Sequence, residues 1–422
     1  MILYKKSFFK EVDLNKNYNC IISGPDPMHY KEQFKTNFIF ADLNQNPYSK
    51  DLLLKSFFLF FKLIFKFKPN YRNLRVILTL SLIIPIIKKK SIKKIICFFD
   101  YSRLGKALKK ILKKEIVLIG FQHSMRASNM DRENLIKGFD YYFLWDHYKH
   151  KNKIKNCKFI NFGSLKSYIV LERRKKWNYL EKKFKKNKNL VLISSYGNII
   201  DEIEERFLKN LSKNERISKI NSIYKGFMSK KIKLNERENQ ALEFFLLCYA
   251  ISKIIKKYNF NLIIINRSAH SIDYNSEKFH KISKKEKEYF NYFFENYKIL
   301  GSDHFRRLDQ ALKLKNSIFI TNISSMGKEL FALNYKVIFY SFLGYKLNPD
   351  YFDIKSIFCL LKRDDQLLLN KIKKISNLSS NDFKKEKRKV KKTFPSFVPD
   401  KKKFKFFLSL SSLELKKKIK FN

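Results

Sequence analysis

The chain has 422 residues, 45% of them hydrophobic, and a formal net charge of +52. That length is too great for one small domain and sufficient for two ordinary ones, and the apolar share excludes disorder over most of the chain. The charge admits three readings: a polyanion such as nucleic acid, an anionic membrane surface, or a compositional drift in which Lys, Asn, Ile, Phe and Tyr rise together.

The lysines are spread along the whole chain, which fits drift. Arginine, the better residue for bidentate phosphate or base contacts, is a small minority of the 90 basic residues. No zinc finger, ribonucleoprotein signature or helix-turn-helix pair accompanies the charge, so nucleic acid is not the expected partner. The five cysteines (Cys20, Cys97, Cys157, Cys248 and Cys359) lie far apart without metal-ligand spacing, which fits reduced thiols in a cytoplasm. The opening "MILYKKSFFKEVDLN" has no long apolar core and no small-residue cleavage site, so no signal peptide is expected.

In chain order, "NCIISG" (19–24) and "NFIFADL" (37–43) are apolar runs of strand length. "LLLKSFFLFFKLIFKF" (52–67) and "VILTLSLIIPII" (76–87) read as helices. The first is interrupted by lysines, and the second falls short of the ~20 residues that span a bilayer. On a helix Lys55, Lys62 and Lys66 fall within about 40° of one another beside a broad Phe/Leu face. Two readings follow: a buried helix with one wet stripe, or a membrane-surface helix with snorkelling lysines. "KKIICFFD" (93–100), "EIVLIGFQH" (115–123), "FDYYFLWD" (139–146) and "KFINFGS" (158–164) read as strands, and "YSRLGKALKKILKK" (101–114) has a helical period. This rhythm predicts a parallel sheet covered by helices.

A charged stretch, 171–189, reads as a linker helix. A second alternating set follows: strands at 190–198, 260–270, 316–325 and 335–341, with helices at 237–259 and 326–334. From about residue 380 the chain becomes Lys-rich. The expected organisation is α/β, with two Rossmann-like domains at 1–170 and 190–380, the linker at 171–189 and a Lys-rich C-terminal tail at 381–422.

Ligands of parallel α/β sheets bind beyond the carboxyl ends of the strands. Four such ends are polar: Gln122-His123-Ser124-Met125-Arg126, Ser195-Tyr196-Gly197-Asn198, Arg267-Ser268-Ala269-His270, and Ser324-Ser325-Met326-Gly327-Lys328-Glu329. These hydroxyls, backbone donors, arginines and histidines suit phosphates and sugar hydroxyls. In "SSMGKE" the serines either cap a helix or join its free N–H groups in holding an anion. Gly327 would allow close approach to the backbone, and Glu329 would accept hydrogen bonds from sugar hydroxyls. No GxxxxGK[ST] or GxGxxG motif is present. Asp26, Tyr196 and Asn198 are weaker candidates.

"ITNISSMGKELFALNYKVIFYS" resembles the S-[ST]-x-G-x-E segment, then helix and strand, of bacterial surface-carbohydrate transferases of the capsule and O-antigen type, which resemble GT-B glycosyltransferases. "VLIGFQHS", "FDYYFLWD" and "FINFGS" are similar in order to the same group, with Ser124 in place of a glycine and Asp146 in place of the glycine after the tryptophan. "IINRSAH" resembles an Arg-x-x-His strand end, and Asp309 matches an acidic position before the last donor-site strand. The likeness spans roughly residues 93–345.

The resemblance implies a GT-B-like pair of domains with parallel sheets facing a central cleft. It implies a metal-independent glycosyltransferase with no cofactor beyond its nucleotide-sugar donor. Ser195, Gly197, Arg267, His270, Ser324, Ser325, Gly327 and Glu329 would bind that donor. Gln122 and Arg126 would bind a saccharide or lipid-linked acceptor, and His123 would be the general base. Such an enzyme is expected in the cytoplasm, peripheral on an anionic inner-membrane surface. The rival readings are a polyol-phosphate transferase or sugar epimerase, a nucleic-acid-binding protein, and a non-catalytic scaffold.

Overall fold

The computed structural model describes residues 20–23, 38–40, 50–66, 71–89, 91–97, 103–112, 115–122, 136, 138–145, 154, 157–173, 189–196, 208, 210–266, 277–301, 304–314, 317–322, 324–341 and 356–390, with 399, 402 and 406. They fall into two compact units. The first takes in the described residues through Ile169 together with Pro399, Lys402 and Phe406, and the second those from Val170 to Val390.

In the first unit, β1 (Cys20–Ser23), β2 (Phe38–Phe40), β3 (Lys94–Cys97), β4 (Val117–Phe121), β5 (Tyr141–Leu144) and β6 (Lys158–Asn161) form one sheet in the order β2-β1-β3-β4-β5-β6. Every pairing is parallel. The fully buried and mostly apolar runs of β3, β4 and β5 fit this arrangement, because a central parallel strand is buried on both faces. Gly120 sits in β4, where an added Cβ would lie 2.7 Å from the Tyr142 ring and 2.8 Å from the Phe139 ring. Lys109 in α3 (Arg103–Leu112) reaches both carboxylate oxygens of Asp140 at 2.7 Å, and Asp140 also accepts from the Leu118 N–H. This pair fixes the turn that leads into β5.

Two helices, α1 (Lys50–Lys66) and α2 (Tyr71–Lys89), pack against each other. The second half of α2 is buried nearly all round, with Ile83, Ile84, Ile86 and Ile87 in the core. The outer face of α1 is exposed. α4 (Leu165–Arg173) contains the start of the 171–189 stretch, and residues 174–188 lie outside the described residues.

In the second unit, β7 (Asn189–Ile193), β8 (Asn261–Ile265), β9 (Lys298–Leu300), β10 (Ser317–Thr321), β11 (Lys336–Tyr340) and β12 (Cys359–Leu360) form a second parallel sheet, ordered β12-β11-β10-β7-β8-β9. Counted from β7, this is the 3-2-1-4-5-6 order of a dinucleotide-type Rossmann sheet. The strand order reverses between β7 and β10.

Right-handed crossovers to either side of that reversal lay helices on opposite faces. One face carries α6 (Glu236–Tyr258), α7 (Glu277–Asn291) and α10 (Asp365–Asn377). There Phe244 and Phe245 meet Tyr289, and Lys253 bridges to Asp365 at 3.1 Å. The other face carries α8 (His304–Lys313), α9 (Ser325–Ala332) and α11 (Ser380–Lys389). Here Phe331, Phe358 and Phe383 form an edge-to-face cluster. α5 (Lys213–Met228) precedes α6 and starts with a capping box between Ser212 and Glu215.

The Lys-rich run at 384–392 opens inside α11, which docks through buried Phe383. Its Lys387 donates to the Ala332 carbonyl and to Asn334 Oδ1 at 2.9 and 2.7 Å, closing the carboxyl end of α9. Burial pushes this ammonium down to about 7. It also pushes Lys336, which donates to the carbonyls of Ser376 and Leu378, down to about 8.

A lysine with a lowered folded-state pKa is protonated in both states at low pH. Between about 7 and its ordinary 10.5 only the unfolded chain keeps the proton, so stability rises with pH across that window. Lys387→Met is expected to remove a rise on the order of 1–3 kcal/mol between neutral pH and about pH 10. Urea denaturation of both proteins at the two pH values measures it, and an equal rise in both would show that Lys387 is not its source.

Candidate functional site

A parallel sheet binds ligands beyond the carboxyl ends of its strands, where the strand order reverses. In the second unit that place lies between the ends of β7 and β10, and it is polar. Ser194 follows β7; its hydroxyl donates to Glu286 Oε1 of α7 at 2.5 Å and accepts from the Tyr196 N–H. Ser195, half-buried, donates to Asn322 Oδ1 and so ties the two strand ends together. Asn322 is 2% exposed and directly follows β10.

Residues 324 and 325 then begin α9. Ser324 is its N-cap, with extended backbone and a hydroxyl oxygen that accepts from the Met326 N–H at 3.2 Å. Ser325 is the first helical residue, half-buried, beside the positive end of the helix dipole. The cap is real, and it leaves the helix start directed at the strand-order reversal.

Gly327 has a packing reason of its own. A Cβ there would lie 2.6 Å from Thr321 Cγ2, so the glycine lets α9 sit close on β10. Glu329 and Lys328 are both buried within the packing of α9. Asp309 lies in α8, in an i,i+4 pair with Lys313.

Three further polar groups lie on the same carboxyl edge. Asn266 follows β8, Thr321 ends β10 and Ser341 follows β11. Asn266 Oδ1, Thr321 Oγ1 and Ser341 Oγ are buried without a hydrogen-bond partner among the described residues. Buried polar atoms are nearly always paired, and the segments that follow Asn266 and Ser341, 267–276 and 342–355, lie outside the described residues. Asn266 occupies space that a side chain on Gly301 would fill, with its Oδ1 only 1.6 Å from the added Cβ. Asn266, Asn322, Thr321, Ser341 and Glu286 were not singled out from the sequence. A signal existed for Asn266, the first polar residue after the apolar run 262–265, and for Thr321 and Asn322, which follow the apolar run 318–320.

In the first unit Gln122 follows β4 and is buried. Its N–H donates to the Phe143 carbonyl, and its Oε1 accepts from the Trp145 N–H at 2.9 Å, so it extends the β4–β5 ladder. Trp145 Nε1 is buried without a partner among the described residues. After β6, Gly163 adopts φ 98, a left-handed conformation that favours glycine, and Ser164 accepts from the Ser167 N–H to start α4. His123, Arg126, Gly197, Arg267 and His270 lie outside the described residues, as do Asp26, Ser124, Asp146 and Asn198.

No protein-family model matches the chain, and no curated protein matches it. Among solved structures, it is similar to a UDP-GlcNAc 2-epimerase of Neisseria meningitidis bound to UDP-GlcNAc. The two share 11% identity over 92% of this chain and 98% of that one, at a TM-score of 0.51. A UDP-GlcNAc 2-epimerase of Methanocaldococcus jannaschii in complex with UDP-GlcNAc and UDP follows, at 14% identity, 88% and 98% coverage and a TM-score of 0.46. An S. aureus MnaA–UDP structure shows 12% identity, 90% and 92% coverage and a TM-score of 0.44. The likeness to the Neisseria enzyme is one of fold, and it makes the fold of this chain GT-B-like, with two Rossmann-like domains.

Proposed function

We propose that the chain is an enzyme of nucleotide sugars that transfers the sugar to a saccharide or lipid-linked acceptor. The observation that carries this reading is the polar cluster where β7 and β10 part: Ser195 tied to Asn322, with the N-terminus of α9 beside them. A helix N-terminus and short hydroxyl side chains suit a diphosphate. In this reading the α9 N–H groups, Ser195, Gly197, Ser325 and Asn322 hold the diphosphate of the donor. Ser324 shapes the helix start, and Gly327 sets α9 close to the sheet. Arg267 and His270, after β8, add positive charge against the departing diphosphate. Glu329 orients the sugar through its hydroxyls. His123 takes the proton of the attacking acceptor hydroxyl as the anomeric C–O bond to the diphosphate breaks, and Gln122 and Arg126 place that acceptor.

A second reading is epimerisation of the nucleotide sugar. The full-length likeness to the Neisseria epimerase favours it. One experiment separates the two: the chain is incubated with UDP-, CDP- and GDP-sugars in deuterium oxide, with and without a saccharide acceptor, and followed by NMR. Transfer releases free nucleotide and lengthens the acceptor only when acceptor is present. Epimerisation by proton exchange yields an inverted sugar carrying deuterium at the inverted carbon without acceptor. Unchanged sugars under every condition would contradict both.

A further inference from the structure

The outer face of α1 is an exposed apolar stripe. Leu54, Phe57, Phe58, Phe61 and Phe65 are all exposed, Phe58 by 71% and Phe65 by 86%. Their spacing places them within about 100° of arc on the helix. The opposite side holds Ser56 and Leu63, which are buried against the rest of the unit. The helix is therefore not a buried one with a single wet stripe: it packs by one narrow side and turns most of its phenylalanines outward. Leu74 and Leu78, in the first turns of α2, are exposed as well.

Charge flanks the stripe. Lys55, Lys62 and Lys66 are exposed and share one side of α1, about 100° from the centre of the apolar stripe. Among the described residues no helix is long and apolar enough to cross a membrane. An apolar face with lysines along its border suits a helix lying in a membrane interface. The rings enter the acyl boundary while the lysine stems reach back to anionic headgroups. A second copy of the chain fits less well. It would bring the same lysine border against itself, on a protein with 90 basic and 38 acidic residues.

We propose that the α1–α2 hairpin docks this protein on an anionic lipid surface, with the Phe57, Phe58, Phe61 and Phe65 rings inserted and Lys55, Lys62 and Lys66 at the headgroups. This inference is independent of the donor-site reading. The test is flotation of the full chain with vesicles of phosphatidylcholine alone and of phosphatidylcholine with phosphatidylglycerol. The wild type is expected to float with the anionic vesicles. Phe57→Ser/Phe61→Ser/Phe65→Ser, at exposed positions, is expected to fall by about tenfold or more in apparent partition, and Lys62→Gln/Lys66→Gln by a smaller factor. Circular dichroism and the melting temperature check that both variants remain folded. A wild type left in the soluble fraction would overturn the proposal, and so would a serine variant that floats as well as the wild type. A serine variant of lower oligomeric mass but unchanged flotation would assign the stripe to a second copy and overturn it equally.

Discussion

Asn322→Ala is expected to weaken binding of a nucleoside diphosphate by about 10- to 100-fold, which corresponds to the loss of one hydrogen bond to a charged ligand at ~1.5–3 kcal/mol. Asn322 is buried at the end of β10 and receives the Ser195 hydroxyl from the end of β7, so in the proposed site it would both hold the ligand and fix its neighbour. Ser195 is only half-buried, so the melting temperature of the ligand-free protein is expected to fall by only about 2–4 °C. Isothermal titration with UDP and the other diphosphates gives the affinity. Ser195→Ala added to Asn322→Ala is expected to cost less than the two single changes summed, because the residues act as one unit. Affinity unchanged by Asn322→Ala would remove this residue from the site.

Gly120→Ala is expected to destabilise the first unit by about 1–3 kcal/mol through overpacking. Its added methyl meets two aromatic rings at once, Tyr142 at 2.7 Å and Phe139 at 2.8 Å, and Tyr142 sits on the neighbouring strand β5 within the buried core. Neither ring is the free end of a flexible chain. Gly327→Ala makes a useful contrast. There one methyl, Thr321 Cγ2, lies at 2.6 Å, and the alanine gains roughly 1 kcal/mol of helix propensity in return. Urea denaturation of the two variants is expected to place Gly120→Ala clearly lower. Equal midpoints would show that the β4–β5 layer gives way more easily than its packing indicates.

Most of the second sheet was legible because central parallel strands are apolar on both faces. Thus "LVLI", "LIII", "IFIT" and "KVIFY" stand out as short uninterrupted runs. β9 and β12 escaped notice because three and two residues are too few to show a pattern. The Ser324 cap could be read directly from Ser-Ser before an apolar stretch. The Ser195–Asn322 tie could not, because it joins residues 127 apart and depends on β7 pairing with β10. No local rule announces a non-local pairing. α1 was ambiguous for a related reason. Periodicity shows which side of a helix is apolar, but not how much of that side the rest of the protein covers. The Lys-rich run of α11 reads as the start of a C-terminal tail, and two buried contacts, Phe383 in the aromatic cluster and Lys387 on the carboxyl end of α9, make this helix part of the fold.

A nucleotide site at the strand-order reversal of the second sheet is the centre of the proposed function. The most direct measurement is the thermal shift of the full chain with UDP, CDP, GDP, CMP and their sugar conjugates, compared between wild type and Ser325→Ala/Glu329→Ala. A ligand that binds only the native state raises the melting temperature by mass action. The account predicts that one nucleotide class stabilises the wild type and fails to stabilise the variant. No shift with any nucleotide, together with a large salt-sensitive shift with RNA or DNA, would contradict it and return the net charge of +52 to the centre of the explanation.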